Sequence, residues 1–188
     1  MKKMFALFLA LILVLSLVAC GSNTEATTEP TTVPTTEPFD VDGYKNLVSE
    51  CVTEIYDSSV LLSNVVTFEY KYIKAYKNIA GSSATPDAEK VVSTGIQGLE
   101  ENSEYTEEFL KSQYDDISAM YKDIVLCDAD NPEINEIKTA FKEMHEAYVS
   151  LYNLAFSPDL DMSILASNHD EYTSTVKNCK ATLDIFLS

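Results

Sequence analysis

The chain contains no arginine in 188 residues, and only two histidines. Phosphate and nucleic-acid recognition rests on arginine forks and a basic face, so both are disfavoured here. The formal net charge of −17 points the same way and argues against a domain lying on an anionic membrane surface. Hydrolytic and phosphoryl-transfer chemistry also lacks its usual parts. There is no Gly-x-Ser-x-Gly turn, no phosphate-cradling glycine loop, no His-Glu-x-x-His and no Cys-x-x-Cys pair. The expectation is a protein that binds and does not catalyse. Glycine and proline are scarce as well, at five and six, which leaves long uninterrupted stretches for helix.

The one long apolar run is at the start. Lys2 and Lys3 precede Phe5 to Val18, in which only Ser16 is polar. A spanning helix needs about 20 apolar residues, so this run is too short and instead has the length of a secretory h-region. It ends in Leu17-Val18-Ala19-Cys20, followed by Gly21. That ending resembles the lipobox of bacterial lipoproteins. The resemblance implies a signal peptide over residues 1–19, cleavage before Cys20, and a diacylglycerol lipid on the Cys20 thiol (with palmitate-type acyl chains). It also implies a cell-membrane location, with the rest of the chain on the extracytoplasmic side. No other cofactor is expected.

Three copies of one tetrapeptide follow: Thr27-Thr28-Glu29-Pro30, Thr31-Thr32-Val33-Pro34 and Thr35-Thr36-Glu37-Pro38. A proline at every fourth position forbids regular helix or sheet, and there is little apolar surface to bury. Residues 20–38 therefore read as a disordered tether, extended and polyproline-like, reaching roughly 55 Å from Gly21 to Pro38 at about 3.1 Å per residue.

From residue 39 to 188 the composition is that of a globular domain large enough for one real core. Apolar residues recur at helical spacing. A first helix is expected from Asp42 to Ala80, with Val48, Cys51, Ile55, Leu62, Val65, Tyr72, Tyr76 and Ile79 inward. A second, from Pro86 to Cys127, carries Val92, Ile96, Leu99, Leu110, Ile117, Met120 and Ile124. Gly95, Gly98 and the polar run Glu100 to Ser103 predict a kink or break within it, near residues 100–103. A third runs from Pro132 to Phe156 and a fourth from Leu160 to Phe186. Thr85-Pro86-Asp87 and Asn131-Pro132-Glu133 read as helix starts, and Ser157-Pro158-Asp159 as a stop followed by a start. Short connections make neighbours antiparallel. The fold expected is all-α, an up-down-up-down four-helix bundle.

Several constellations compete for a role. Beyond Cys20 there are Cys51, Cys127 and Cys179. Cys51 and Cys179 fall near the same end of two neighbouring helices, close enough for thiol proximity or a disulfide. His145 lies thirteen residues before Pro158 and His169 eleven after it, so a hairpin sets both at one height. Counting from the first hairpin brings Glu69, and Glu100 or Glu101, near that layer. Carboxylates with imidazoles inside a bundle are how di-iron proteins are built, although the Glu-x-x-His spacing is absent. A metal or small-ligand site near Glu69, His145 and His169 is the alternative reading. Asp159-Leu160-Asp161-Met162-Ser163 follows a calcium loop only faintly, lacking the glycine and the final glutamate.

Aromatic and basic residues crowd the end of the first helix: Phe68, Tyr70, Lys71, Tyr72, Lys74, Tyr76 and Lys77. Lysines there suit the helix dipole. Tyr70, Tyr72 and Tyr76 cannot all point inward, and tyrosine supplies contact area at low entropic cost. The principal expectation is a tethered domain presenting Tyr70, Lys71, Lys74 and Lys77 to an envelope or extracellular protein partner. The run Glu100, Glu101, Glu104, Glu107 and Glu108 reads as a solvated face.

Overall fold

Three short capping motifs set the frame. Asp40, Asn131 and Asp161 each turn a side-chain oxygen onto the first free amides of a helix, an arrangement worth about 1 kcal/mol apiece. The computed structural model describes residues 39–127 and 131–188. The lipobox, Cys20 and the Thr/Glu/Pro tether lie outside the described residues. Five helices follow in order: α1 Val41–Ala80, α2 Ala88–Asn102, α3 Glu107–Leu126, α4 Pro132–Phe156 and α5 Met162–Leu187. No strand occurs among the described residues, and the fold is all-α.

The expected second helix is two helices. Ser103 ends α2 by donating from Oγ to the carbonyl of Leu99 at 2.8 Å while accepting from the Tyr105 amide at 3.3 Å. Thr106 then caps α3 through the Phe109 amide. The start of α2 also differs from the expectation. Asp87, not Thr85, is the cap, and its carboxylate accepts from the Lys90 amide at 2.9 Å. The last helix begins at Asp161 because Asp159 closes a small turn first, accepting from the Asp161 amide at 2.8 Å. At the end of α1, Gly81 adopts φ +105° and donates to the Lys77 carbonyl, a backbone state that favours glycine.

The described helices belong to one compact unit. α1 packs against all four others, and the broadest interface is that between α4 and α5. α2 and α3 lie mainly along α1 and touch α4 only narrowly. The core draws Val48, Cys51, Ile55, Leu62 and Val65 from α1, and Val91, Ile96 and Leu99 from α2. Leu110, Ile117 and Ile124 of α3 join it, with Phe141, Met144, Tyr148 and Leu151 of α4 and Leu165, Val176 and Leu183 of α5. Three assignments shift: Val91 and Ile73 are fully buried where Val92 and Tyr72 were expected inward, and Ile79 is 89% exposed in the last turn of α1.

Polar pins connect the helices across this core. Ser58 Oγ and Tyr148 Oη share a buried hydrogen bond of 3.2 Å, and Lys45 Nζ meets Glu133 Oε1 at 2.6 Å. Ser63 Oγ lies 2.7 Å from His169 Nε2, and Lys77 Nζ donates to the Leu160 carbonyl at 3.2 Å.

Candidate functional site

A cleft of about 160 Å³ opens between α1 and α5. Val66, Thr67 and Tyr70 line it from α1, and Leu165, Ala166, His169 and Asp170 from α5. The spacing explains the lining, since residues one helical turn apart share a face. The two threonine hydroxyls at this level are spent on their own helices. Thr67 donates to the Ser63 carbonyl at 2.9 Å, and Thr173 to the His169 carbonyl at 2.7 Å. The groups left to meet a ligand are the Tyr70 phenol, the edge of the His169 imidazole and the exposed Asp170 carboxylate.

His169 thus occupies a different setting from the one expected. It is half-buried and clamps α5 to α1 through Ser63. Asp170 Oδ1 lies 3.6 Å from its other ring nitrogen. Serine, imidazole and carboxylate follow one another in the order of a hydrolytic triad. The parts that would make the order productive differ, however. The Asp170 side chain is 85% exposed and too far from the ring to orient it. The backbone amides of both helices at this level are engaged in their helical ladders, so they offer no oxyanion hole.

The remaining basic residues of the predicted surface divide. Lys71 and Lys74 are exposed, and Lys71 Nζ stands 5.0 Å over the Phe68 ring. Lys77 instead ties the end of α1 to the α4–α5 connection through Leu160. Tyr70 borders the cleft, while Tyr72 and Tyr76 pair with each other at a centroid distance of 6.4 Å.

Glu69, His145 and His169 do not come together. Among the described residues no group of three or more His, Cys, Asp or Glu side chains could hold a metal ion. Equal height along two hairpins does not set side chains on facing sides. Glu69 is wholly buried where α1 meets α2, with both carboxyl oxygens unpartnered. Burial pushes its carboxyl up to about 9, so it is protonated at neutral pH. His145 lies flat on Tyr121 of α3, ring centroids 3.8 Å apart and planes 10° apart, with Nε2 unpartnered. Burial pushes the imidazole down to about 4 and keeps it neutral.

Cys51 and Cys179 are both buried free thiols, not a disulfide. Burial pushes Cys51 up to about 12, helped by the nearby Glu54 carboxylate. Cys179 rises to about 11, with Glu143 adding to its burial. Glu100, Glu101, Glu104 and Glu108 are exposed, and Glu107 pairs with Lys111 at 2.5 Å.

Two features escaped the sequence reading. Ser63 carries no motif, and only the fold reveals it as the partner of His169. The seam between α3 and α4 is aromatic: Tyr114 stacks on Tyr152 at 4.1 Å, and Tyr121 on His145. Its signal was the seven-residue spacing of Tyr114 and Tyr121, matched by His145 and Tyr152. Comparison of the chain with models of protein families, with curated proteins and with solved structures finds no match in any of the three.

Proposed function

We propose that this chain is a lipoprotein anchored to the cell membrane through Cys20, displaying an acidic helical bundle outside the cytoplasm as a binding module for a protein partner. In this reading residues 1–19 are removed, the tether of residues 20–38 lifts the domain of residues 39–188 off the membrane, and no catalytic step is involved. The helices run up-down-up-down, with α2 and α3 together forming the second rod. The pins support that course. Ser58 pairs with Tyr148 and Lys45 with Glu133, at nearly constant separation, so α1 and α4 run in parallel. Ser63 pairs with His169 and, further along α1, Lys77 pairs with Leu160, so α1 and α5 run oppositely.

The observation that carries the reading is the cleft beside Tyr70. Small-molecule pockets typically enclose about 300–1,000 Å³, and this one holds about 160 Å³. That volume fits one side chain of a partner better than a cofactor. Lys71 and Lys74 follow Tyr70 on the same stretch of α1, exposed cations on a molecule of net charge −17. A partner with an anionic rim around an inserted apolar or aromatic side chain complements such a surface. A tether at the N-terminal end of α1 would turn this C-terminal end of α1 outward. Replacing Tyr70, Lys71 and Lys74 together by serine should abolish capture of the partner from envelope extracts. Undiminished capture by the folded triple variant refutes the assignment of this face.

A further inference from the structure

Among the described residues Glu69 is the buried carboxyl without a partner for either oxygen. A carboxyl that is wholly buried normally has hydrogen-bond donors around it. What covers it is α2. A β-carbon built at Gly95 would stand 2.6 Å from Glu69 Cγ and 3.1 Å from its Oε1, so α2 lies directly on the carboxyl. Three residues on, Gly98 lies against the Phe68 ring in the same way. The inner side of α2 is otherwise Val91, Ile96 and Leu99.

The charged groups around this contact point elsewhere. Glu89, Lys90, Glu100 and Glu101 of α2 are exposed, as are Lys71 and Lys74 of α1. The titratable side chains of the other helices nearest the core are His145, Tyr148 and Tyr152 of α4, Tyr114 and Tyr121 of α3 and His169 of α5, and they are occupied with one another or with Ser58 and Ser63. Burial is the sole cause of the shift at Glu69. Only the proton makes the carboxyl compatible with the closed helix, because an ionised carboxylate there would be buried without a counter-charge.

α2 is also short and set apart by its connections. It has 15 residues, is bounded by the Gly81–Asp87 connection and the Ser103–Thr106 break, and rests almost wholly on α1. We propose that α2 is a proton-held latch: it closes on α1 with Glu69 protonated, and it lifts away when Glu69 releases that proton to water.

The sign follows from linkage. In the open form Glu69 is an ordinary exposed carboxylate that titrates near ~4.3, whereas in the closed form it keeps its proton through neutrality. Between those limits the closed form binds one more proton than the open one. Each rise of one pH unit therefore increases the α2 opening constant about tenfold, and acidification latches the helix.

The test is amide hydrogen exchange of the full chain between pH 5.5 and 8.5, corrected for intrinsic exchange, with α4 as internal reference. Protection in α2 should lie well below that of α4 throughout and fall about tenfold per pH unit, and Glu69→Gln and Glu69→Leu should both flatten the α2 profile. The leucine variant keeps the test open if glutamine prevents folding. A level α2 profile in the parent chain, the same slope in the folded variants, or α2 protected as strongly as α4, so that it opens only by global unfolding, would each overturn the proposal.

Discussion

Gly95 of α2 and Glu69 of α1 are in contact so close that no β-carbon fits between them: one built on Gly95 would lie 2.6 Å from Glu69 Cγ and 2.9 Å from Val65 Cγ1. In an exposed helix, alanine in place of glycine stabilises by about 1 kcal/mol. Here the sign should reverse. Gly95→Ala should cost about 1–3 kcal/mol as the two helices are forced apart. A urea titration at neutral pH measures it, and a raised midpoint would contradict the packing described.

Gly81 makes a useful contrast. A β-carbon there meets nothing within 4 Å, yet φ is +105°. Gly81→Ala should therefore destabilise by about 1 kcal/mol through the backbone alone. Unchanged stability would show that the α1 terminus relaxes without cost.

His145 gives stability a pH dependence of its own. Its imidazole is pushed down to about 4 in the folded chain and titrates near ~6.5 when unfolded. Between those values the unfolded state binds more protons, so stability rises with pH from about 4 to about 6.5. The whole effect is at most about 3–4 kcal/mol. His145→Phe keeps the stack on Tyr121 and should remove this part of the slope. Urea melts of both proteins at pH 4.5 and 7 test it, and equal pH differences would count against a buried neutral imidazole. Glu69 acts in the opposite direction, its contribution fading as pH rises from ~4.3 toward about 9. The two together place greatest stability at mildly acidic pH.

The buried thiols should be inert. With Cys51 pushed up to about 12 and Cys179 to about 11, neither offers appreciable thiolate at pH 8. Mass mapping after iodoacetamide treatment should find both unmodified in the native domain and alkylated in denaturant. Native alkylation of Cys51 would contradict its position in the core.

Lysines 71, 74 and 77 should separate by assay. Lys77→Ser removes the bond to Leu160 and should cost about 0.5–1 kcal/mol, leaving partner capture intact. Lys71→Ser and Lys74→Ser should weaken capture without changing stability, since both side chains are exposed. Thermal melts alongside capture measurements distinguish the two behaviours.

Local chemistry made much of this fold legible. Asn131-Pro132 and Ser157-Pro158 marked α4 to the residue, because a cap with a proline at the first position and a second proline beyond the end leave little freedom. The break between α2 and α3 was foreshadowed by Gly98 and the polar run to Ser103. Its position, at Ser103–Thr106, depended on which hydroxyls bonded to which backbone groups. The site was less legible. Height along a helix can be counted from a turn, and the count placed His145 and His169 level. Facing depends on how each helix is rotated about its axis, and tertiary packing decided that. So His145 met Tyr121, His169 met Ser63, and Glu69 met Gly95. Of the basic surface, Tyr70 borders the cleft, while Lys77 bonds the carbonyl of Leu160, 83 residues on in the α4–α5 connection, a pairing no local pattern could signal.

The most direct measurement of the central claim is photo-crosslinking in intact cells, with a photoreactive amino acid placed in turn at Tyr70, Lys74 and, as exposed controls away from the cleft, Val60 and Ile185. The account predicts one discrete adduct of the same partner from positions 70 and 74 and none from 60 or 185. No adduct from the cleft positions, or the same adducts from all four, would contradict it.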